Sequence, residues 1–132
     1  MENGGITDEQ ISASSEWDYD HAASRGRLNL QKQGNKRGAW SSLIMDANQW
    51  LQIDLRSKHI VVKGVATQGR NDYPQWVTRY KLQHGDDGVN FKYYKSHTGV
   101  NKVKYRLLSR SSDVFISRGK EKYNKILKKD SV

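Results

Sequence analysis

Cysteine is absent from this chain and proline occurs once, at Pro74. Without cysteine no disulfide can hold the fold, the redox compartment leaves no trace in the composition, and thiolate chemistry is excluded. The histidines, at positions 21, 59, 84 and 97, lack the His-Glu-x-x-His spacing of a zinc site, and no Gly-x-Ser-x-Gly elbow offers a nucleophile. An enzyme is therefore not expected. Long apolar runs are missing too, so no segment is expected to cross a bilayer. The opening Met1-Glu2-Asn3-Gly4-Gly5 has neither the basic nor the apolar stretch of a secretory signal. No internal repeat and no Asn-x-Ser/Thr acceptor is found.

What is present suits one domain. A chain of 132 residues can bury about two thirds of its unfolded surface if it folds as a unit. Its hydrophobic content of 35% is low, but 4 Trp, 7 Tyr and 2 Phe supply large buried areas per residue. The net charge of +9 is unevenly spread. Residues 1–100 carry 13 Lys and Arg against 11 Asp and Glu, whereas residues 101–132 carry 10 against 3. The excess belongs to the tail, so the main domain lacks the gathered basic face that nucleic acid requires, and no nucleic-acid partner is expected.

The pattern along the chain is that of strands and turns. Leu51, Ile53 and Leu55 alternate with Trp50, Gln52 and Asp54, the period of a strand with one face in a core. Residues 60–67 form a nearly continuous apolar strand ending at Gly69. Tyr80, Leu82 and His84 share a strand face, Gly85-Asp86-Asp87-Gly88 supplies turn chemistry, and Val89, Phe91 and Tyr93 alternate again, which predicts a hairpin. Three loops separate these signals, at residues 16–21, 41–49 and 69–76. The fold class is all-β, a sandwich or jelly roll. Beyond residue 95 the composition shifts, dividing the chain into a core over 1–95 and a basic C-terminal segment over 96–132. There Val103, Tyr105 and Leu107 suggest one strand and residues 114–116 a short one. The spacing of Tyr123, Ile126 and Leu127 predicts a short basic helix over 118–129 with Ser117 as its N-cap.

Several motifs stand in a telling order: Met1-Glu2-Asn3-Gly4-Gly5-Ile6, Ile11-Ser12-Ala13-Ser14-Ser15, Gly26-Arg27-Leu28-Asn29, Ala39-Trp40, Trp50-Leu51-Gln52-Ile53-Asp54-Leu55, Val65-Ala66-Thr67-Gln68-Gly69-Arg70 and Asp87-Gly88-Val89-Asn90-Phe91. Together they resemble the discoidin domain, also called the coagulation factor V/VIII type C domain, over residues 1–95. The resemblance implies a jelly-roll β-sandwich of the galactose-binding-domain-like type, with loops at one end that bind cell-surface glycans, phospholipid head groups or collagen. It also implies an extracellular, non-enzymatic adhesion module, so this chain is expected to be a fragment of a longer secreted protein or an alternative product. The family's closing aromatic-rich strand pair has no counterpart in residues 96–132. The sandwich is accordingly expected to be incomplete, with an irregular or short-helical basic tail.

Candidate ligand contacts lie on the three loops. A saccharide needs a flat apolar platform for its C–H face and fixed polar groups for its hydroxyls. In the first loop Trp17, Tyr19 and His21 alternate with Glu16, Asp18 and Asp20, which supplies both; the competing reading packs Trp17 beneath the loop and leaves the acids solvated. In the third loop Arg70 either forks onto a ligand or pairs with Asp72, beside Tyr73. Asn48, with Asp46 and Gln49, offers polar contacts in the second loop or forms an ordinary polar turn. Asp18 and Asp20 are weak calcium candidates, since some members of the family hold that ion. Arg27, Trp40, Trp50, Asp54 and Trp76 are expected to be structural. The leading expectation is a module that recognises a cell-surface glycan or glycoprotein; the alternatives are anionic phospholipid and a protein partner. Acids flanking the aromatic tip oppose approach to an anionic membrane.

Overall fold

The computed structural model describes residues 5–56, 61–77, 79–94, 115–119 and 124–130. The alternation read from the sequence becomes strand register. β1 (Ile11–Ala13) pairs antiparallel with β2 (Trp50–Ile53), setting Ile11 opposite Ile53 and Ala13 opposite Leu51. Opposed residues share a face, so these four make one apolar surface. Ile53, only 2% exposed, lies at its centre, and Ile6, Ile11, Ala23, Leu51 and Leu55 complete the buried cluster. Trp40, Val65, Tyr80 and Leu82 pack against it half-buried.

β3 (Val61–Ala66), β4 (Arg79–Gly85), β5 (Lys92–Tyr93), β6 (Phe115–Gly119) and β7 (Asn124–Asp130) follow. Among the described residues they form a five-stranded sheet in the order β1-β2-β7-β4-β5 and a two-stranded sheet of β3 and β6, all pairs antiparallel. Val65 brings the smaller sheet against the core cluster. Helical structure is confined to single turns of 3-10 helix at Asp8–Gln10, Tyr19–His21 and Ala23–Arg25 among the described residues.

Two expectations are corrected here. The stretch expected to be a short helix over 118–129 ends one strand and builds another, because β7 finds backbone partners on both sides, in β2 and β4. Its register sets Leu127 opposite Leu51 and Leu82. A helix of that length is marginal on its own, whereas a strand between two others satisfies both of its edges. The tail thus contributes to both sheets rather than standing apart from them. The strand expected around 103–107 lies outside the described residues, as do His59 and His97.

The second correction concerns the hairpin. Val89, expected in its second strand, is 78% exposed in the loop, and pairing begins only with Tyr93 opposite Gln83 and Lys92 opposite His84. Asp87 delays it: its carboxylate accepts from the backbone N–H groups of Val89 (2.9 Å) and Asn90 (2.7 Å) and from the Asn90 amide (2.7 Å). The Asn90 amide, with those backbone donors, holds the Asp87 pKa down to about 2.

Candidate functional site

The first loop is organised by its acids. Asp18 caps the Tyr19–His21 turn: its Oδ1 accepts from the His21 backbone N–H at 3.0 Å and sits 2.6 Å from the imidazole Nδ1. That contact with His21 lowers the Asp18 pKa. Glu16 accepts from the Ala23 N–H at 2.6 Å. Both carboxylates therefore serve groups of their own loop, contrary to the reading that left them merely solvated. Trp17 donates its backbone N–H to the Ser41 carbonyl, and Ser41 returns a bond to the His21 carbonyl, which fastens the first loop to the second. The Trp17 indole is left 55% exposed, not packed beneath the loop. Tyr19 is exposed as well, with Lys36 Nζ 4.9 Å from its ring centroid.

The third loop is stiffened by a guanidinium–carboxylate fork. Arg70 Nε donates to Asp72 Oδ1 at 2.6 Å, Nη2 to Oδ2 at 3.3 Å, and Nη1 to Gln75 Oε1 at 3.0 Å. Arg37 Nη1 reaches the same carboxylate at 3.1 Å. Arg70 first, then Arg37, holds the Asp72 pKa at about 2. The Arg70 side chain also lies over the Tyr73 ring at 5.6 Å. Arg70 thus pairs with Asp72, the second of its two readings, and it also lines a cavity.

That cavity, of about 720 Å³, opens where the three loops converge. Trp17 and His21 come from the first loop, Ser41, Ser42 and Met45 from the second, and Arg70, Pro74, Gln75 and Trp76 from the third. Arg37 and Trp40 complete the walls. Gly38 lets the segment before Trp40 approach the third loop, since a Cβ there would lie 2.2 Å from the Leu30 carbonyl oxygen and 2.8 Å from Asn71 Oδ1.

Of the candidate contacts, Trp17, His21 and Arg70 line this cavity, and Asp72 and Tyr73 join Arg70 on an adjoining smaller cleft. Asp18, Tyr19 and Asn48 line neither. Asn48 donates its backbone N–H to Asp46, which also accepts from Gln49, whose side-chain oxygen in turn takes the hydroxyls of Ser14 and Ser15. That is a polar turn anchoring β2. Among the described residues no group of three or more His, Cys, Asp or Glu is placed to hold a metal ion.

Arg27 donates to the Ile6 carbonyl at 2.8 Å and to the Asp8 carboxylate. Asp54 donates its backbone N–H to the Gln10 carbonyl, and its carboxylate accepts from the Arg56 N–H. Trp50 is half-buried in β2, its N–H given to Ser14 Oγ. Trp40 is dual: its indole N–H donates to the Ser15 carbonyl at 2.9 Å while the ring lines the cavity. Trp76 is corrected outright, since it is 46% exposed on the cavity wall and not in the core. The Gln75 N–H to Tyr73 carbonyl bond and the Arg70 N–H to Gln75 carbonyl bond close the loop back on itself, so residue 76 precedes the strand.

Sequence reasoning missed Arg37, Met45 and Gln75. The signal for Met45 was the run Leu43-Ile44-Met45 inside an otherwise polar loop, a pattern out of place unless the loop has work to do. All three residues of that run are exposed, Met45 at 82%.

Comparison with known proteins agrees with this architecture. The chain is 42% identical to retinoschisin of Mus musculus over 120 residues, covering 86% of this chain and 52% of that protein. It is 38% identical to lactadherin of Rattus norvegicus over 114 residues, covering 78% of this chain and 25% of that protein. It therefore spans about half the length of the first and a quarter of the second. Discoidin II of Dictyostelium discoideum superposes with a TM-score of 0.67 at 25% identity, over 92% of this chain and 49% of that chain. The shared fold is the galactose-binding-like jelly-roll β-sandwich. With residues 10–115 matching its pattern, the chain belongs to the F5/8 type C domain family, that of the discoidin domains.

Proposed function

We propose that this domain is an extracellular adhesion module that binds a glycan at the cavity between its three loops. The observation that carries the reading is the joining of indoles and polar groups in one space: Trp17, Trp40 and Trp76 with His21, Arg37, Arg70 and Gln75. Indole faces suit the C–H face of a hexose, while guanidinium, imidazole and amide groups suit its hydroxyls. Family membership supports a binding module. Among the described residues no helix is long and apolar enough to cross a membrane.

A second reading draws on the exposed Leu43-Ile44-Met45 tip beside Trp17, which suits insertion into a phospholipid surface. The lowered pKa of Asp18 keeps its negative charge next to Trp17, which opposes approach to an anionic surface. One pair of assays separates the two. On a glycan array, Trp17→Ala or Trp76→Ala should lose binding by roughly 1–3 kcal/mol, about 5- to 150-fold, with circular dichroism unchanged because both rings are exposed. A silent array, together with sedimentation on phosphatidylserine vesicles that is lost in Met45→Asp, would make the lipid reading the right one.

A further inference from the structure

A second cleft, of about 470 Å³, adjoins the indole-lined cavity. The two share Arg37, Arg70 and Gln75, and the smaller adds Lys32, Asp72 and Tyr73. Three cationic side chains and one carboxylate therefore line it. That carboxylate is already engaged, taking Nε and Nη2 of Arg70 and Nη1 of Arg37. With its pKa held at about 2, Asp72 stays charged and keeps both guanidinium groups in place. Lys32 is exposed and makes no ion pair among the described residues.

A neutral sugar has no need of such a wall, since its hydroxyls are met equally well by uncharged donors. An anion does, because guanidinium groups held in position by a shared carboxylate lose little freedom when their remaining N–H donors bind it, and a flexible ammonium can close on it from the side. Resting on the glycan reading above, we propose that this cleft is an anionic subsite, and that the preferred ligands are acidic saccharides carrying a carboxylate or a sulfate next to a hexose seated against the indoles. Arg37 and Arg70 belong to both spaces, so the hexose and its acidic substituent are read by one continuous surface.

Calorimetric titration of the intact chain with lactose, 3′-sialyllactose and 3′-sulfated lactose tests this. At least one acidic sugar should bind about 10-fold tighter than lactose. The preference should shrink toward unity as ionic strength rises to about 1 M. In Lys32→Gln, whose exposed position leaves the fold intact by circular dichroism, the acidic-to-neutral ratio should fall several-fold. The tighter of the two acidic sugars then identifies the anion. Equal affinity for all three sugars, or a preference untouched by Lys32→Gln, would overturn the anionic subsite while leaving glycan binding in place. Silence toward all three with capture on phosphatidylserine vesicles would overturn both.

Discussion

Asp72 joins two functions in one carboxyl group, tying Arg70 to Arg37 and setting the charge of the loop end. Its folded pKa of about 2 lies below its ordinary value of 3.8. A depressed carboxyl pKa contributes stability that is fully present above the unfolded value and lost as pH falls through the folded one. The contribution of Asp72 should therefore be constant at neutral pH and disappear between about pH 4 and pH 2. Urea midpoints of the parent and Asp72→Asn should differ at pH 7 and converge toward pH 2. Both proteins should still lose stability over that range, since Asp87 is depressed to about 2 by its own turn. The carboxylate at 72 and the arginine at 70 are both visible in the sequence, but the second guanidinium, from Arg37, is 35 positions away and no local pattern couples them.

At the scale of elements, the loops are held by one another more than by the sheet. Arg37 donates its backbone N–H to the Asp20 carbonyl, its own carbonyl accepts from Arg25 Nε, and its guanidinium donates to Asp72, so the segment carrying Gly38 is tied to the first and third loops. Gly38→Ala places a methyl group against the Leu30 carbonyl and the Asn71 side chain. It should cost about 1–3 kcal/mol, read as a lowered thermal midpoint, and should weaken ligand binding because the cavity walls separate. The hairpin was legible because its strands alternate and its turn is built from Gly and Asp. Its loop length was not, since Asp87 holds Asn90 and Val89 in the turn and postpones the second strand to Lys92.

For the whole molecule, the decisive element is β7, which joins β1-β2 to β4-β5. Removing residues 124–130 separates the larger sheet into two ribbons with unpaired edges. Such a truncation should lose cooperative unfolding and gain aggregation, measured by thermal melts and light scattering, whereas a tail dispensable to the sheet would leave both unchanged. Ile53→Ala, at the centre of the core, should cost about 2–5 kcal/mol in chemical denaturation.

The sequence by itself determined what depends on near neighbours: the period-two strand at 50–55, the glycine and aspartate turns, the concentration of positive charge after residue 100, and three loops with the chemistry of recognition. The ordered motifs carried the family. The tertiary structure alone decided what depends on residues far apart in the chain meeting in space. It gave the strand at 124–130 partners on both sides, where local spacing matched a helix, and it placed Trp76 on a cavity wall and Arg37 beside Asp72. Periodicity reports which face of an element is apolar, but not which other element covers that face. A cavity whose walls run from Trp17 to Val77 is made of that second kind of information.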